Sequence, residues 1–443
     1  MSQKKVITNW IVISLSMFSL LGCSKVAEDI STPSSTPLIT TPSQVTILVA
    51  TEIVIPPTIP STSSDSNEID YRCAVINDDV RELVNTTGTL VLNGSIIVLR
   101  DKAKKISNPV LLINLKSGNE TQLSVKETDN HFAVSPGGEY LAYDIRKDGT
   151  NQWQINIVDA TSTLLKTFDE EALQSFEWLD GKNLLVNSLS DKFTHYPLIL
   201  LSPFDNKEKL TEPFITEEER IIPNDRELIY GWGFYAFHKI IYNPTFTRAI
   251  YASSNQNGAT IVFRDLLSNK DISTLRSRVA WGVSPKWSPD GTQIAIGINI
   301  DSADETNELD ETNELVVLDQ NGLQLFTTHL VGLSEKTYIS SLSWSPDGRK
   351  IALWYTTHEN INIDLRLAIF DISTQKIVDY CITKDSPYYR WHTNDKAPIW
   401  SPDSNYLLIE TADDDIPNAV ILDIVNKNAV IIKNSYEPIG WMK

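Results

Sequence analysis

The run Ser386-Pro387-Tyr388-Tyr389-Arg390-Trp391-His392 carries the densest set of side chains suited to recognition. Tyr, Trp and Arg join large contact areas to polar tips, and they dominate the energetics of binding surfaces. Tyr230-Gly231-Trp232-Gly233-Phe234-Tyr235 is a second aromatic run. Tyr388, Tyr389, Arg390, Trp391, His392, Trp232 and Tyr235 are therefore the candidate partner- or ligand-binding residues. The competing reading is that both runs pack on their own scaffold. Covalent chemistry has less support. The six histidines, at 131, 195, 238, 329, 358 and 392, are scattered. His358-Glu359-Asn360-Ile361-Asn362 lacks the second histidine of a zinc-binding helix, and no G-x-S-x-G elbow or phosphate-cradling glycine loop occurs. Asp304-Glu305-Thr306-Asn307-Glu308-Leu309 repeats at once as Asp310-Glu311-Thr312-Asn313-Glu314-Leu315. Carboxylates and Asn suit calcium, but the spacing fits no calcium loop and no Gly supplies the turn. The repeat reads as a duplicated insertion in an exposed loop. No catalytic residue, metal ligand or cofactor is assigned.

Composition narrows the partners. The 57 acidic residues against 38 basic ones give a formal charge of −19 over 443 residues. Nucleic-acid binders need a basic face, and docking on anionic lipid needs basic clusters, so neither is expected. Apolar residues make up 41%, enough for most of the chain to bury a core. Three cysteines are too few for a disulfide scaffold or a four-thiolate zinc site.

The N-terminal residues read as an address. Lys4 and Lys5 precede a mostly apolar stretch from Val6 to Leu21, which ends in Leu20-Leu21-Gly22-Cys23. The stretch is shorter than the ~20 residues of a spanning helix, and Thr8 and Asn9 interrupt it. A charged start, a short apolar run and a small residue before the cut make a secretory signal. With the cysteine placed there, the segment resembles a bacterial lipoprotein signal. That resemblance implies a signal peptide over 1–22, lipid on Cys23 and an extracytoplasmic, membrane-anchored protein. Ser24 stands where an aspartate would retain a lipoprotein at an inner membrane, which favours an outer one. Residues 23–68 are rich in Ser, Thr and Pro and read as an extended tether, with Val45 to Ile55 as a stray apolar stretch. Once Cys23 carries lipid, Cys73 and Cys381 remain. In an oxidising compartment such a pair is expected to bridge; the alternative is two separate buried thiols.

The elements that must position the candidate residues come from a repeat. Trp287-Ser288-Pro289-Asp290-Gly291, Trp344-Ser345-Pro346-Asp347-Gly348 and Trp400-Ser401-Pro402-Asp403-Ser404 each precede an apolar stretch, then a second one ending near an aspartate. Weaker copies begin at Val134-Ser135-Pro136-Gly137-Gly138, at Trp178-Leu179-Asp180-Gly181 and at Tyr242-Asn243-Pro244-Thr245, and a first unit begins near Leu90. Pro-Asp-Gly is tight-turn chemistry, and the short Ile-, Val-, Leu- and Tyr-rich runs beside it are strands. One small sheet cannot bury both faces alone, whereas a closed ring of sheets can. The units resemble the W-S-P-D-G, WD-like repeat of the TolB-like and dipeptidyl-peptidase-type propellers. This implies an all-β propeller of four-stranded antiparallel blades over 85–443, with 69–84 as a lead-in. Seven blades are counted, with six and eight as alternatives. Glu437 to Met442 reads as one more inner strand, able to complete the first blade. The repeat Trp residues are expected to pack between units, and Asp290, Asp347 and Asp403 to cap their own turns.

In such a meander the first-to-second and third-to-fourth strand turns share one face. Here they are short, while the long connections, including 213–237 and 385–396, fall on the other face. Long loops on a rigid scaffold are where binding sites sit. The expectation is a monomeric, non-enzymatic, lipid-anchored module that binds an envelope protein or polysaccharide. The alternative is a glycan hydrolase or lyase with acids at the channel mouth. Dipeptidyl-peptidase-type enzymes keep their serine in a domain beside the propeller, and TolB has an α/β domain before it. Neither companion is read in this sequence.

Overall fold

The computed structural model describes residues 69–77, 92–100, 110–123, 131–147, 152–170, 173–188, 198–205, 207–211, 241–255, 258–276, 285–298, 314–328, 330, 337–357, 363–386, 396–413, 416–434 and 436–443. The chain divides into units Met1–Ser63 and Ser64–Lys443, and all described residues belong to the second. Cys23, the stretch 45–55, the residues Leu90 and Val91, and the insertion 304–313 lie outside the described residues.

Seven antiparallel sheets form a seven-bladed propeller. Blade one takes its inner strand, Tyr436–Met442, from the C-terminal end and continues outward through Ser95–Arg100, Val110–Asn114 and Glu120–Gln122. Blades two to seven begin at their inner strands Phe132–Val134, Leu173–Trp178, Ile241–Tyr242, Lys286–Trp287, Thr337–Trp344 and Ile399–Trp400. Each meanders outward through three more strands. The sequence reading of Glu437 to Met442 holds: this strand pairs with Ser95–Arg100 and closes the ring.

The core is divided among the blade junctions. Seven apolar clusters occur among the described residues, one at each junction between neighbours. Strand alternation explains this. In the second strand of blade six (Lys350–Thr357), Ile351, Leu353 and Tyr355 face blade five, while Ala352 and Trp354 face blade seven. Successive side chains point to opposite faces, so both faces of every blade are apolar.

The repeat motif builds one turn many times. In the turns at 288–292, 345–349 and 401–405 the serine hydroxyl donates to the aspartate Oδ1 at 2.6 Å. The same serine oxygen accepts the backbone N–H five residues on, at 2.9–3.0 Å. The fourth turn position is left-handed, with φ of 71° at Gly291, 69° at Gly348 and 62° at Ser404. Glycine adopts that conformation without cost; Ser404 adopts it within the same hydrogen-bond frame. Each repeat Trp is pinned to the blade before it. The indole N–H of Trp178 donates to the Ala133 carbonyl at 3.0 Å, that of Trp287 to Ile241 at 3.3 Å, that of Trp344 to Lys286 at 2.8 Å and that of Trp400 to Ser343 at 3.2 Å. The expected roles of Trp and Asp are both borne out.

A strap crosses the outside of the ring. Asp70–Tyr71 adds in parallel to the outer edge of blade six, opposite Val378 and Asp379. Val75–Asn77 adds in parallel to the outer edge of blade seven, opposite Asn428 to Val430. Between them Cys73 is bridged to Cys381, so the expected disulfide is present and closes a separation of 308 residues. Asp379 organises the bridged corner. It is fully buried and accepts from the Tyr355 hydroxyl at 2.5 Å, the Arg366 Nε at 2.8 Å and the Cys381 N–H at 2.6 Å. Arg366 in turn lies over the ring of Tyr71.

Two predictions follow from this frame. Replacing Cys73 and Cys381 together by Ala lowers unfolding stability by about 2–5 kcal/mol in denaturant titration, because the two short parallel pairs then hold the strap alone. The second concerns acid. Burial pushes the carboxyls of Asp290 and Asp347 up, but the serine hydroxyls and turn amides outweigh it and hold both below the usual range. A depressed folded pKa contributes stability above the unfolded value of about 4 and loses it as pH falls through the folded one. The thermal midpoint is therefore level from pH 7 down to about 4.5 and falls below about 4. The double Asp290→Asn, Asp347→Asn variant is less stable at neutral pH and loses part of that acid slope.

Candidate functional site

The two rims of the propeller differ. The lower rim carries the short turns, such as 135–139, 288–292, 345–349 and 401–405. The described strand ends that flank 212–240, 277–284, 299–313, 331–336 and 387–395 point to the upper rim; those connections themselves lie outside the described residues. The strand ends that these connections join are thus on one rim, the rim that the sequence reading assigned to the long loops. Tyr388, Tyr389, Arg390, Trp391 and His392 lie outside the described residues, and so do Trp232 and Tyr235. The structure does describe the ground beside the first group. Ser386 ends the outer strand of blade six (Lys376–Ser386), and Lys396 leads into the inner strand of blade seven.

Charged side chains gather at that ground. Lys384 is buried on the face of blade six that meets blade seven, opposite Leu365. Its Nζ lies 3.9 Å from the Glu410 Oε1 of blade seven. Lys396 pairs with Glu437 on the inner strand of blade one. Desolvation pushes the Lys396 ammonium down to about 8; Lys384 adds to the shift and Glu410 opposes it. Two ammonium groups and two carboxylates from blades six, seven and one thus share the upper rim.

Polar atoms without partners accompany them. Thr356 Oγ1, Ser341 Oγ and Asn418 Oδ1 are buried and have no hydrogen-bond partner among the described residues. Thr356 follows Ala352 and Trp354 in strand alternation, and Asn418 precedes Val420 and Leu422, so both belong to the junction of blades six and seven. Ser341 stands opposite Trp354 on the same face. Buried polar atoms of folded proteins are nearly always paired, by protein groups or by ordered water.

A second pair stands further round the upper rim. His131 Nδ1 is 2.9 Å from Oδ2 of Asp144, which is fully buried, and its ring meets Phe176 of blade three edge-on. The carboxylate fixes the ring orientation. Among the described residues no three His, Cys, Asp or Glu side chains converge as metal ligands would. The arrangement on the blade six, seven and one arc offers ammonium donors and carboxylate acceptors. It can hold polar groups by hydrogen bonds.

Sequence reasoning missed Lys384, Lys396, Glu410, Glu437 and His131–Asp144 as groupings. Lys384 and Lys396 bracket the aromatic run and were legible as its flanks. The two glutamates come from other blades and carry no local signal.

Competitive acylation of the native protein across pH 6–11 checks the Lys396 environment. Lys396 titrates near 8 and is acylated ahead of the other lysines at pH 8, whereas a midpoint above 10 means that its 40% exposed side chain and the Glu437 carboxylate keep it charged.

No family model matches the chain, and no curated protein matches it. Several solved structures do. TolB from Acinetobacter baumannii aligns at 14% identity over 84% of this chain and 96% of that one, with a TM-score of 0.42. A putative 6-phosphogluconolactonase from Bacteroides uniformis aligns at 12% over 79% and 98%, with 0.44. Oligogalacturonate lyase from Vibrio parahaemolyticus aligns at 10% over 77% and 86%, with 0.45. At this distance the likenesses are of fold, and none of them assigns a ligand or a reaction to this chain.

Proposed function

We propose that this chain is a membrane-anchored, extracytoplasmic propeller lipoprotein, non-enzymatic, that binds an envelope protein or polymer through its upper rim. The observation that carries this reading is the inequality of the two rims. Short hydrogen-bonded turns close the lower one; the upper one carries the strand ends that the long connections join, and the Lys384, Lys396, Glu410 and Glu437 cluster. Binding sites are placed on variable loops held by a rigid scaffold, and this ring has that form. The Cys73–Cys381 disulfide supports an oxidising compartment. Lipid on Cys23 would supply the anchor, residues 24–68 the spacer, and Tyr388, Tyr389, Arg390, Trp391, His392, Trp232 and Tyr235 the contact surface.

The test is extraction of the native protein in mild detergent, chemical crosslinking, and mass spectrometry of what is retained. Crosslinks concentrate in 212–240 and 387–395. Alanine at Tyr389, Arg390 and Trp391 together weakens retention of the partner at least ~10-fold, as expected when interface anchors are removed. Retention unchanged in that variant refutes the site assignment.

A further inference from the structure

We infer that the Cys73–Cys381 bridge is a reducible latch: a dithiol opens it while the propeller stays folded, and the strap 69–77 then leaves the outer edges of blades six and seven. This device sits on the outer circumference and is separate from whatever the upper rim binds.

The two halves of the bridge are built differently. On the blade side Arg366 pairs with Thr383 and Ala368 with Asp379, so Tyr380, Cys381 and Ile382 stand opposite Leu367 alone, in a bulge. Tyr380 and Ile382 are buried at the junction with blade seven. Cys381 between them is left-handed, with φ of 57°, and its N–H donates to the Asp379 carboxylate. A residue with a side chain keeps that conformation where its surroundings over-determine it. Asp379, fixed by Tyr355 and Arg366, does so here without the sulfur. The receiving half therefore keeps its shape with the bridge open or shut.

The strap half is weakly seated. Ile69 is buried and Asp70 and Ala74 are half-buried, but Tyr71, Arg72, Cys73 and Val75 are exposed. The backbone N–H groups of Arg72, Ala74 and Val75 donate to Asp379 O, Tyr380 O and Lys427 O at 2.8–3.0 Å, along edges open to water. Water competes for such bonds, so each contributes little net. Ordering the nine residues 69–77 costs backbone entropy that two and three cross-strand pairs and one buried isoleucine do not offset. The covalent bond is what holds the strap.

That bond is within reach of a reductant, because Cys73 is exposed and Cys381 is half-buried. A thiolate of the dithiol attacks Cys73 Sγ, a mixed disulfide forms there, and Cys381 Sγ departs as a thiolate. The second thiolate of the reagent then attacks the reagent's own sulfur in that mixed disulfide and expels Cys73 Sγ. Two electrons and two protons pass to the cysteines, and the reagent leaves as a cyclic disulfide. Opening bares the outer backbone edges at Val378–Asp379 and Asn428–Val430, both of which accept a parallel strand. It also returns residues 69–77 to the preceding chain, up to about 30 Å of added extended reach.

The test uses the full chain in mild detergent, with dithiothreitol as the dithiol and no denaturant. Alkylation followed by peptide mass spectrometry reads the state of Cys73 and Cys381, and hydrogen exchange reads the strap. Both cysteines are expected to become alkylated. The amides of Arg72, Ala74 and Val75 then exchange at least ~10-fold faster, while those within 350–357 and 406–413 keep their protection. Cys73→Ser, which cannot bridge, shows the same fast strap exchange without reductant; if that variant fails to fold, reduction of the wild-type chain decides alone. Alkylation that begins only in denaturant overturns the latch, because the bridge is then sealed from reductants. Alkylated cysteines with the strap amides still protected also overturn it, since the strap then holds itself. Protection lost across the blades as well means that the bridge is a staple the fold requires, and the latch falls.

Discussion

Every blade of this propeller is apolar on both faces, and a single four-stranded sheet has no means of hiding either. Each face must be covered by a neighbour, so no blade is stable alone and the ring must close. The indole N–H of Trp178, Trp287, Trp344 and Trp400 turns that general need into a fixed geometry. A large ring buries area at the junction while its one donor is satisfied by a carbonyl on the preceding inner strand. Burial holds neighbouring blades together, and the directed bond sets how one is registered against the next.

The same constraint explains the two ends of the described chain. A ring made of covalently successive blades has one seam. Here the seam is crossed inside blade one, where Tyr436–Met442 pairs with Ser95–Arg100, so the first and last parts of the domain share one sheet. Trp441 reproduces the repeat position at this seam, but its indole donates to Asn93 O at 3.3 Å rather than to blade seven. The strap adds a second link on the outer circumference, with Ile69 in the core between blades five and six and Ala74 against that between blades six and seven.

Much of this was legible in the residues. The turn chemistry of Ser288, Asp290 and Gly291 is local, and local rules find it. The blade count followed from repeating that signal, and Asn243-Pro244-Thr245-Phe246 shows its degenerate form: Asn243 Oδ1 accepts the Thr247 and Arg248 amides, and Phe246 takes the left-handed position. The pairing of Cys73 with Cys381 was legible by counting once Cys23 was set aside. The site was legible only in part. Nothing near Lys384 announces Glu410, and nothing near Lys396 announces Glu437, because a ring joins residues by blade adjacency and not by sequence distance.

The strap also determines how the domain carries mechanical load. A pull on the segment before Ile69 reaches the covalent link at Cys73 within a few residues and passes into the outer strand of blade six through Cys381. The hydrogen bonds of Val75–Asn77 lie downstream of that link and are shielded from the force. The closing pair of blade one lies further along the chain and feels none of it directly. Tension is thus spread into an intact sheet, and the seam that closes the ring is left unloaded.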